Sequence, residues 1–584
     1  MNKKIIWYLL VFIFIFFGFR FTCQDYLYGL DPSWSYTLNT LHLNGDYIFG
    51  KDVFFTYGPF GYLLVPFCFK EIIWQVLLFK ILVIACFIFS LFCFKDRKNA
   101  NIFLGLIVFN FVCFGYELYE FLAVILAFVC LYQKNIRQYA GVILLNFLAF
   151  FMLFAKFNIG VICIATLIFT LIALRLKKEF VLLSFCIWFI SLGLITYLYF
   201  GDVGTFVEWL KMSLLISSGY SETMVVWGDW TNKIYLLSAF LILVLYFILW
   251  LNDYRNKNKN FNVFFVILPS LFFVFKSGFV RADNHVMMFF VYILAIVPLL
   301  YFFVKNISVK FLLIMYCLAL IYPLQHISFG TVLSFIPKLK EQDKILILNE
   351  YILPSDWINL VGNSKVEILP YELSYIPKNN LTPHYNPFLQ LYTVYTKELD
   401  LASAQNYKQQ NTDYIIIECY GSIDGRNLLF DNPATWSAIK ENYKVSDFKQ
   451  NKLLLAKREF PLVYKYSSYR KELHNVNETI QVPYDAKKVV INLDLSLFGR
   501  LVIFLFKNFT PYIYVQYNNS DIIKIRYVRD VMKNGFYIDN LVLSMNDFYN
   551  WLNDRPVEND IKSFRIYTSL PCMYKKNFSV EWQK

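Results

Sequence analysis

The first 325 residues alternate long apolar runs with short polar connectors. Ile5–Phe19 carries no charged residue, and ten further apolar runs lie near 76–94, 100–115, 121–132, 139–155, 160–174, 180–200, 232–251, 261–275, 286–304 and 311–325. A helix of about 20 apolar residues crosses the hydrocarbon core of a bilayer, so the pattern predicts about eleven transmembrane helices. No small-residue cleavage pattern follows the first run, which reads as a span and not as a removed signal. The run at 121–132 is short for a span.

Beyond about residue 340 the period changes. "KILILN" (344–349), "KVEIL" (365–369), "DYIIIEC" (413–419) and "KLLLAK" (452–457) read as strands; "ELDLASAQNYKQQ" (398–410) and "PATWSAIKENY" (433–443) read as helices, the second with Pro433 near its first turn. This alternation predicts an α/β domain. After Phe460, "KVVINLDL", "LVIFLFK", "YIYVQY", "IIKIRYV", "GFYIDNLVL", "SFRIYT" and "FSVEW" follow at short spacing. Seven short strands predict a β-sandwich. The expected organisation is a polytopic α-helical membrane domain over 1–325 with a long first outer loop at 23–75, an α/β domain over 326–459 and a sandwich over 460–584.

Charge gives the bundle an orientation. Of 24 Lys and Arg in residues 1–325, 15 fall in alternate connectors: Lys3 and Lys4; Lys95, Arg97 and Lys98; Lys134 and Arg137; Arg175, Lys177 and Lys178; Arg255, Lys257 and Lys259; Lys305 and Lys310. Basic connectors stay in the cytoplasm, which puts the N-terminus inside and, after an odd number of spans, the C-terminal part outside. The expected location is a bacterial cytoplasmic membrane. The net charge of +13 therefore encodes topology and requires no nucleic acid. Seven of the 11 cysteines sit in apolar runs, no C-x-x-C or H-E-x-x-H occurs, and Cys23 and Cys68 are close enough in sequence to pair across the first loop.

The polar segments with chemical character all fall on the outer side. Asp31, in "LDPSW", precedes Pro32, which restricts it to extended backbone; it reads as a catalytic carboxylate or as the cap of a helix over "SWSYTLNTLHL". Trp34 reads as an interfacial or a cleft aromatic. "FFTYGPFGYL", with Tyr57, reads as a tight surface turn. Lys156 in "AKFNIG" either snorkels to headgroups or lines a cleft. Lys276, Arg281, Asp283 and His285 crowd into "KSGFVRADNH"; Lys and Arg are the donors a phosphate needs, and Arg281–Asp283 reads equally as a structural pair. No P-loop, dinucleotide-binding glycine pattern or G-x-S-x-G is present.

With "LDPSW" in a long first outer loop, several more outer loops and an extracytoplasmic C-terminal part, the chain resembles the GT-C superfamily of polytopic glycosyltransferases, which use polyprenyl-phosphate-linked sugars. The resemblance implies that Asp31 is the catalytic residue. Many members carry two neighbouring acidic residues, whereas here Asp25 lies six positions before Asp31 and Asp46 fifteen after, so no metal or other cofactor is assigned. The expected partners are a polyprenyl-phosphate sugar, membrane lipid and a glycan acceptor. Asp31 is expected to act as general base, Lys276, Arg281 and His285 to hold the donor phosphate, and Trp34, Tyr57, Lys156 and Asp283 to line the cleft. A transporter or flippase for a lipid-linked substrate, and a non-catalytic envelope-polysaccharide assembly protein, are the alternatives. The orientation is testable: a cysteine placed at Ser520 should label from outside intact cells, and labelling only after permeabilisation would reverse the topology.

Overall fold

The structure, a computed structural model, describes residues 3–18, 24–45, 47–96, 99–114, 119–228, 230–255, 261–326, 345–518 and 521–584. Cys23, Asp46, Arg97, Lys98, Lys257, Lys259 and Ser520 lie outside the described residues. The chain forms two compact units: Met1–Gln24, Tyr57–Tyr199 and Val226–Lys344 in the first, and Asp25–Thr56, Phe200–Val225 and Ile345–Lys584 in the second.

The first unit is a helical bundle, and each of the eleven apolar runs contributes a helix. Among the described residues six helices are long and apolar enough to cross a membrane: Lys70–Phe94, Asn135–Ala155, Lys178–Phe200, Asn232–Arg255, Phe261–Val280 and Val286–Phe303. Tyr119–Tyr132, Phe157–Ala173 and Val309–Gln325 are apolar but shorter. Tyr119–Tyr132 is buried on every side up to Cys130, packed by Lys70–Phe94, Asn135–Ala155, Phe157–Ala173, Phe261–Val280 and Val286–Phe303. A helix apolar all round belongs in such an interior.

A single residue, Lys156, with φ −148° and ψ 109°, separates Asn135–Ala155 from Phe157–Ala173. The two helices close on each other at Gly160, where a Cβ would fall 2.2 Å from Leu153 Cα. Backbone approach of this kind is how small residues hold apolar helices together in lipid.

The second unit is strand-rich. Strands Lys365–Leu369 and Tyr414–Ile417 run parallel at the centre of a five-stranded sheet whose other strands are Thr382–Pro383, Tyr443–Lys449 and Lys452–Lys457. Ile415, Ile416 and Ile417 are all buried, the continuous apolar reading of a strand covered on both faces. "KILILN" does not join this sheet. Its Leu346–Ile347 pairs in parallel with Tyr26–Leu27 of the opening loop, because the two-residue pairing needs an exposed edge and not a core strand.

Two four-stranded antiparallel sheets follow. One holds Ser468–Asn475, Lys488–Asn492, Phe536–Tyr537 and Asn577–Gln583; the other holds Thr479–Gln481, Tyr512–Tyr517, Asp521–Arg526 and Ile561–Tyr567. Alternate residues point inward, as in Phe578, Val580 and Trp582, and Trp582 meets Phe564 of the other sheet at 6.1 Å between ring centroids. The sheets are separate from the five-stranded one, yet one hydrophobic core runs from Leu369 through Trp436 and Phe548 to Trp582. "LVIFLFK" is not a strand: Leu497–Leu505 is a helix, started by Ser496, whose Oγ accepts from Gly499 N. A short apolar run does not distinguish the two periods, and the cap decides it. "GFYIDNLVL" keeps only Phe536–Tyr537 as strand, and Met545–Leu552 is a helix with a Ser544–Asp547 capping box.

Glu367, on the central strand, is 1% exposed and accepts from Tyr407 Oη at 2.6 Å. Burial pushes its pKa up to about 8 despite the hydrogen bonds from Tyr407 and Thr412. The folded state therefore holds a proton that the unfolded chain loses above about 4.5. This contribution is complete below that pH and is lost as pH rises through about 8. Glu367→Gln, which mimics the protonated acid, should flatten the fall in thermal midpoint of the full chain between pH 5 and 9; parallel curves would refute the assignment. Gly160→Ala should cost about 1–3 kcal/mol by overpacking the helix contact, read as a lower midpoint in detergent; an unchanged midpoint would show that Leu153 can give way.

Candidate functional site

The residues singled out in the sequence fall into two groups, one in each unit. In the second unit the helix Leu30–Asn44 carries Asp31 and Trp34. Its N-cap is Gly29, at φ 82°, without a side-chain cap bond; Asp31 and Pro32 both lie inside the first turn. Asp31 therefore does not cap the helix. An anion there is still favoured by the helix dipole. Asp31 is exposed, and its Oδ1 accepts from Trp34 Nε1 at 3.1 Å. Among the described residues no group donates to its Oδ2. Trp34 is 7% exposed and packs edge-on against Phe55 at 5.2 Å: it is a core residue, and its indole N–H fixes the carboxylate.

The start of this helix is held by the loop after strand Lys365–Leu369. Ser33 Oγ donates to Tyr371 O at 3.2 Å, Gln390 Nε2 to Leu30 O at 3.2 Å, and Tyr392 Oη to Gln390 Oε1 at 2.6 Å. Gly29 N donates to Tyr351 Oη, which donates in turn to Glu372 Oε2. The Tyr371 and Tyr392 rings lie 6.2 Å apart, and burial, then the nearby Tyr395 and Asp31, hold the Tyr392 hydroxyl well above its ordinary pKa. Asp31 is thus set at the carboxyl ends of the two central parallel strands, the place where open α/β sheets bind ligands.

Two acids at this edge were not singled out in the sequence. Glu372 is 7% exposed and accepts from Ser374 N at 3.1 Å, and burial raises its pKa. Glu418 directly follows strand Tyr414–Ile417 and accepts from Cys419 Sγ at 3.2 Å; burial pushes it up to about 7. The signal was present, since each acid closes or follows a segment read as a strand.

In the first unit, Tyr57 begins the turn that ends in the 3-10 helix Gly61–Leu63. Phe60 N donates to Phe154 O at 3.0 Å, fixing the turn beside the helix break, and Lys156 Nζ sits 4.9 Å from the Tyr57 ring centroid. Lys156 also acts electrostatically on Glu120. Glu120 is 3% exposed, and its Oε1 has no hydrogen-bond partner among the described residues. It is a further acid absent from the sequence reading, although two carboxylates, Glu117 and Glu120, opening an apolar run are unusual enough to flag.

Lys276, partly buried, lies on helix Phe261–Val280. The loop that follows is pinned to the chain at Val226, which donates to Val280 O at 3.1 Å and accepts from Ala282 N at 3.0 Å. Arg281 Nε donates to Asp283 Oδ2 at 2.9 Å; His285 N and Nδ1 reach Asp283 Oδ1 at 3.1 and 2.5 Å. Burial works to raise the Asp283 pKa, but the His285 and Arg281 hydrogen bonds outweigh it and hold the carboxyl well below its ordinary range. Arg281, Asp283 and His285 thus form one cluster. Among the described residues no three His, Cys, Asp or Glu side chains are grouped as metal ligands. Comparison with protein-family models, with curated proteins and with solved structures finds no match to this chain.

Proposed function

We propose that the chain is a GT-C-type glycosyltransferase of the bacterial cytoplasmic membrane. It transfers a sugar from a polyprenyl-phosphate donor to a glycan, lipid or protein acceptor on the outer face, with inversion. The observation that carries the reading is the Asp31 carboxylate: one oxygen is held by the Trp34 indole, the other has no donor among the described residues, and the helix start stands at the carboxyl ends of the two central parallel strands of a mixed sheet. A general base needs a fixed orientation and one accessible lone pair. In this reading Asp31 takes the proton from an acceptor hydroxyl as its oxygen bonds to the anomeric carbon and the phosphate leaves with the electron pair of the broken C–O bond. In the first unit, Asp283 orients Arg281 and His285, which with Lys276 are donors of the kind a phosphate needs.

Transport of a lipid-linked substrate is the second reading, and Glu120 favours it. A carboxylate buried among apolar helices and coupled to Lys156 suits a coupling-ion or substrate path. One set of variants separates the two. Asp31→Asn in full-length protein reconstituted into lipid should lower release of polyprenyl phosphate by about 10²–10⁴-fold at an unchanged thermal midpoint. Glu120→Gln should leave substantial transfer. Full transfer activity in Asp31→Asn would end the catalytic assignment, and movement of lipid-linked sugar across vesicles without transfer would establish the transporter.

A further inference from the structure

Helix Leu497–Leu505 has two apolar faces. Val502 and Ile503 pack against the sandwich core. Gly499 presses on the Pro571–Met573 turn so closely that a Cβ would fall 2.0 Å from Met573 O, and Ser496 Oγ donates to Cys572 O at 2.7 Å. The helix is therefore fixed to the sandwich. The other face is largely exposed: Leu497, Phe498, Leu501, Phe504 and Leu505 are 84%, 50%, 55%, 63% and 48% exposed. Their offsets of 0, 1, 4, 7 and 8 make one helical stripe. A water-soluble surface does not normally present five large apolar side chains in a row.

The chain connectivity says what covers this stripe. Three residues past Leu505, Asn508 N donates to Ser221 O at 3.3 Å and its Nδ2 to Glu222 O at 3.4 Å; Arg526 Nη1 binds Thr223 O at 2.7 Å and Val225 O at 2.9 Å. Val225 lies seven residues before the apolar helix Asn232–Arg255, a reach of about 25 Å at full extension. At its other end, helix Val203–Thr223 begins three residues after the apolar helix Lys178–Phe200. The segment that holds the stripe in place is thus tethered to membrane-length helices at both ends.

We propose that Leu497–Leu505 is an interfacial anchor that lies in the outer lipid–water boundary. Its exposed apolar stripe enters the acyl region, and the exposed Arg500 meets lipid phosphate. A second copy of the chain is a poor occupant, since a nine-residue helix about 13 Å long offers far less than the roughly 800 Å² per partner of a stable interface. The anchor is independent of glycosyl transfer.

The test uses full-length protein in nanodiscs of phosphatidylethanolamine and phosphatidylglycerol, with Cys186, Cys317 and Cys572 replaced by serine. A nitroxide at Leu501→Cys or Phe504→Cys should collide several-fold more with lipid-soluble oxygen than with a water-soluble nickel chelate. The same label at Leu473→Cys, on an exposed sandwich strand, should show the reverse. Equal nickel accessibility at 501 and 473 would overturn the proposal. Dipolar broadening between labels at 501 in discs holding two copies would overturn it in favour of self-association.

Discussion

Buried carbonyls at the end of a helix must find donors, and in the second unit that requirement joins distant parts of the chain. Helix Val203–Thr223 ends in carbonyls at Thr223 and Val225 that a single buried guanidinium, Arg526, takes up. Arg529 grips Glu222 through two bonds at 2.7 and 3.0 Å, and Arg426 donates to Tyr392 O at 3.0 Å and to Met224 Sδ at 2.9 Å. The opening loop is joined to the same unit by backbone bonds, Phe54 N on Pro387 O and Leu346 N on Asp25 O. Two short segments from the helical part of the sequence are thus built into the strand-rich unit. Without them the edge that carries Asp31 would not exist.

That edge separates its acids by environment. Glu418 is half-buried and pushed up to about 7, Glu372 is buried and raised, and Asp31 is exposed beside an indole N–H. The relay from Gly29 through Tyr351 to Glu372 ties the backbone of the Asp31 helix to one of these acids. A change at Glu372 therefore reaches the helix start through hydrogen bonds and not through repacking.

Periodicity made much of the fold legible. The eleven apolar runs are helices, and Lys365–Leu369, Tyr414–Ile417 and Lys452–Lys457 are strands within the segments read as strands. The reading failed where composition outvoted a cap or a partner. "LVIFLFK" has the residues of a strand, but Ser496 commits it to a helix. "KILILN" has the pattern of a core strand, but it pairs only with Tyr26–Leu27. Helix Val203–Thr223 lies outside the apolar runs and was not read as an element; arginines far away in sequence hold its C-terminal end. At the site, Asp31 and Trp34 were each visible, the first as a catalytic or capping carboxylate and the second as an interfacial or cleft aromatic. Their hydrogen bond was not, nor was the burial of Glu372 and Glu120, since one acidic letter reads the same in water and in a core.

The charged segments of the first unit are held in two different ways. Lys156 acts electrostatically on the buried Glu120 and sits over the Tyr57 ring. The Lys276–His285 segment is held by its own side chains: Asp283 accepts from Arg281 Nε and from His285 N and pairs with His285 Nδ1. The loop after helix Phe261–Val280 is thus ordered by hydrogen bonds within it, and the break at Lys156 by a ring contact and by backbone packing at Gly160.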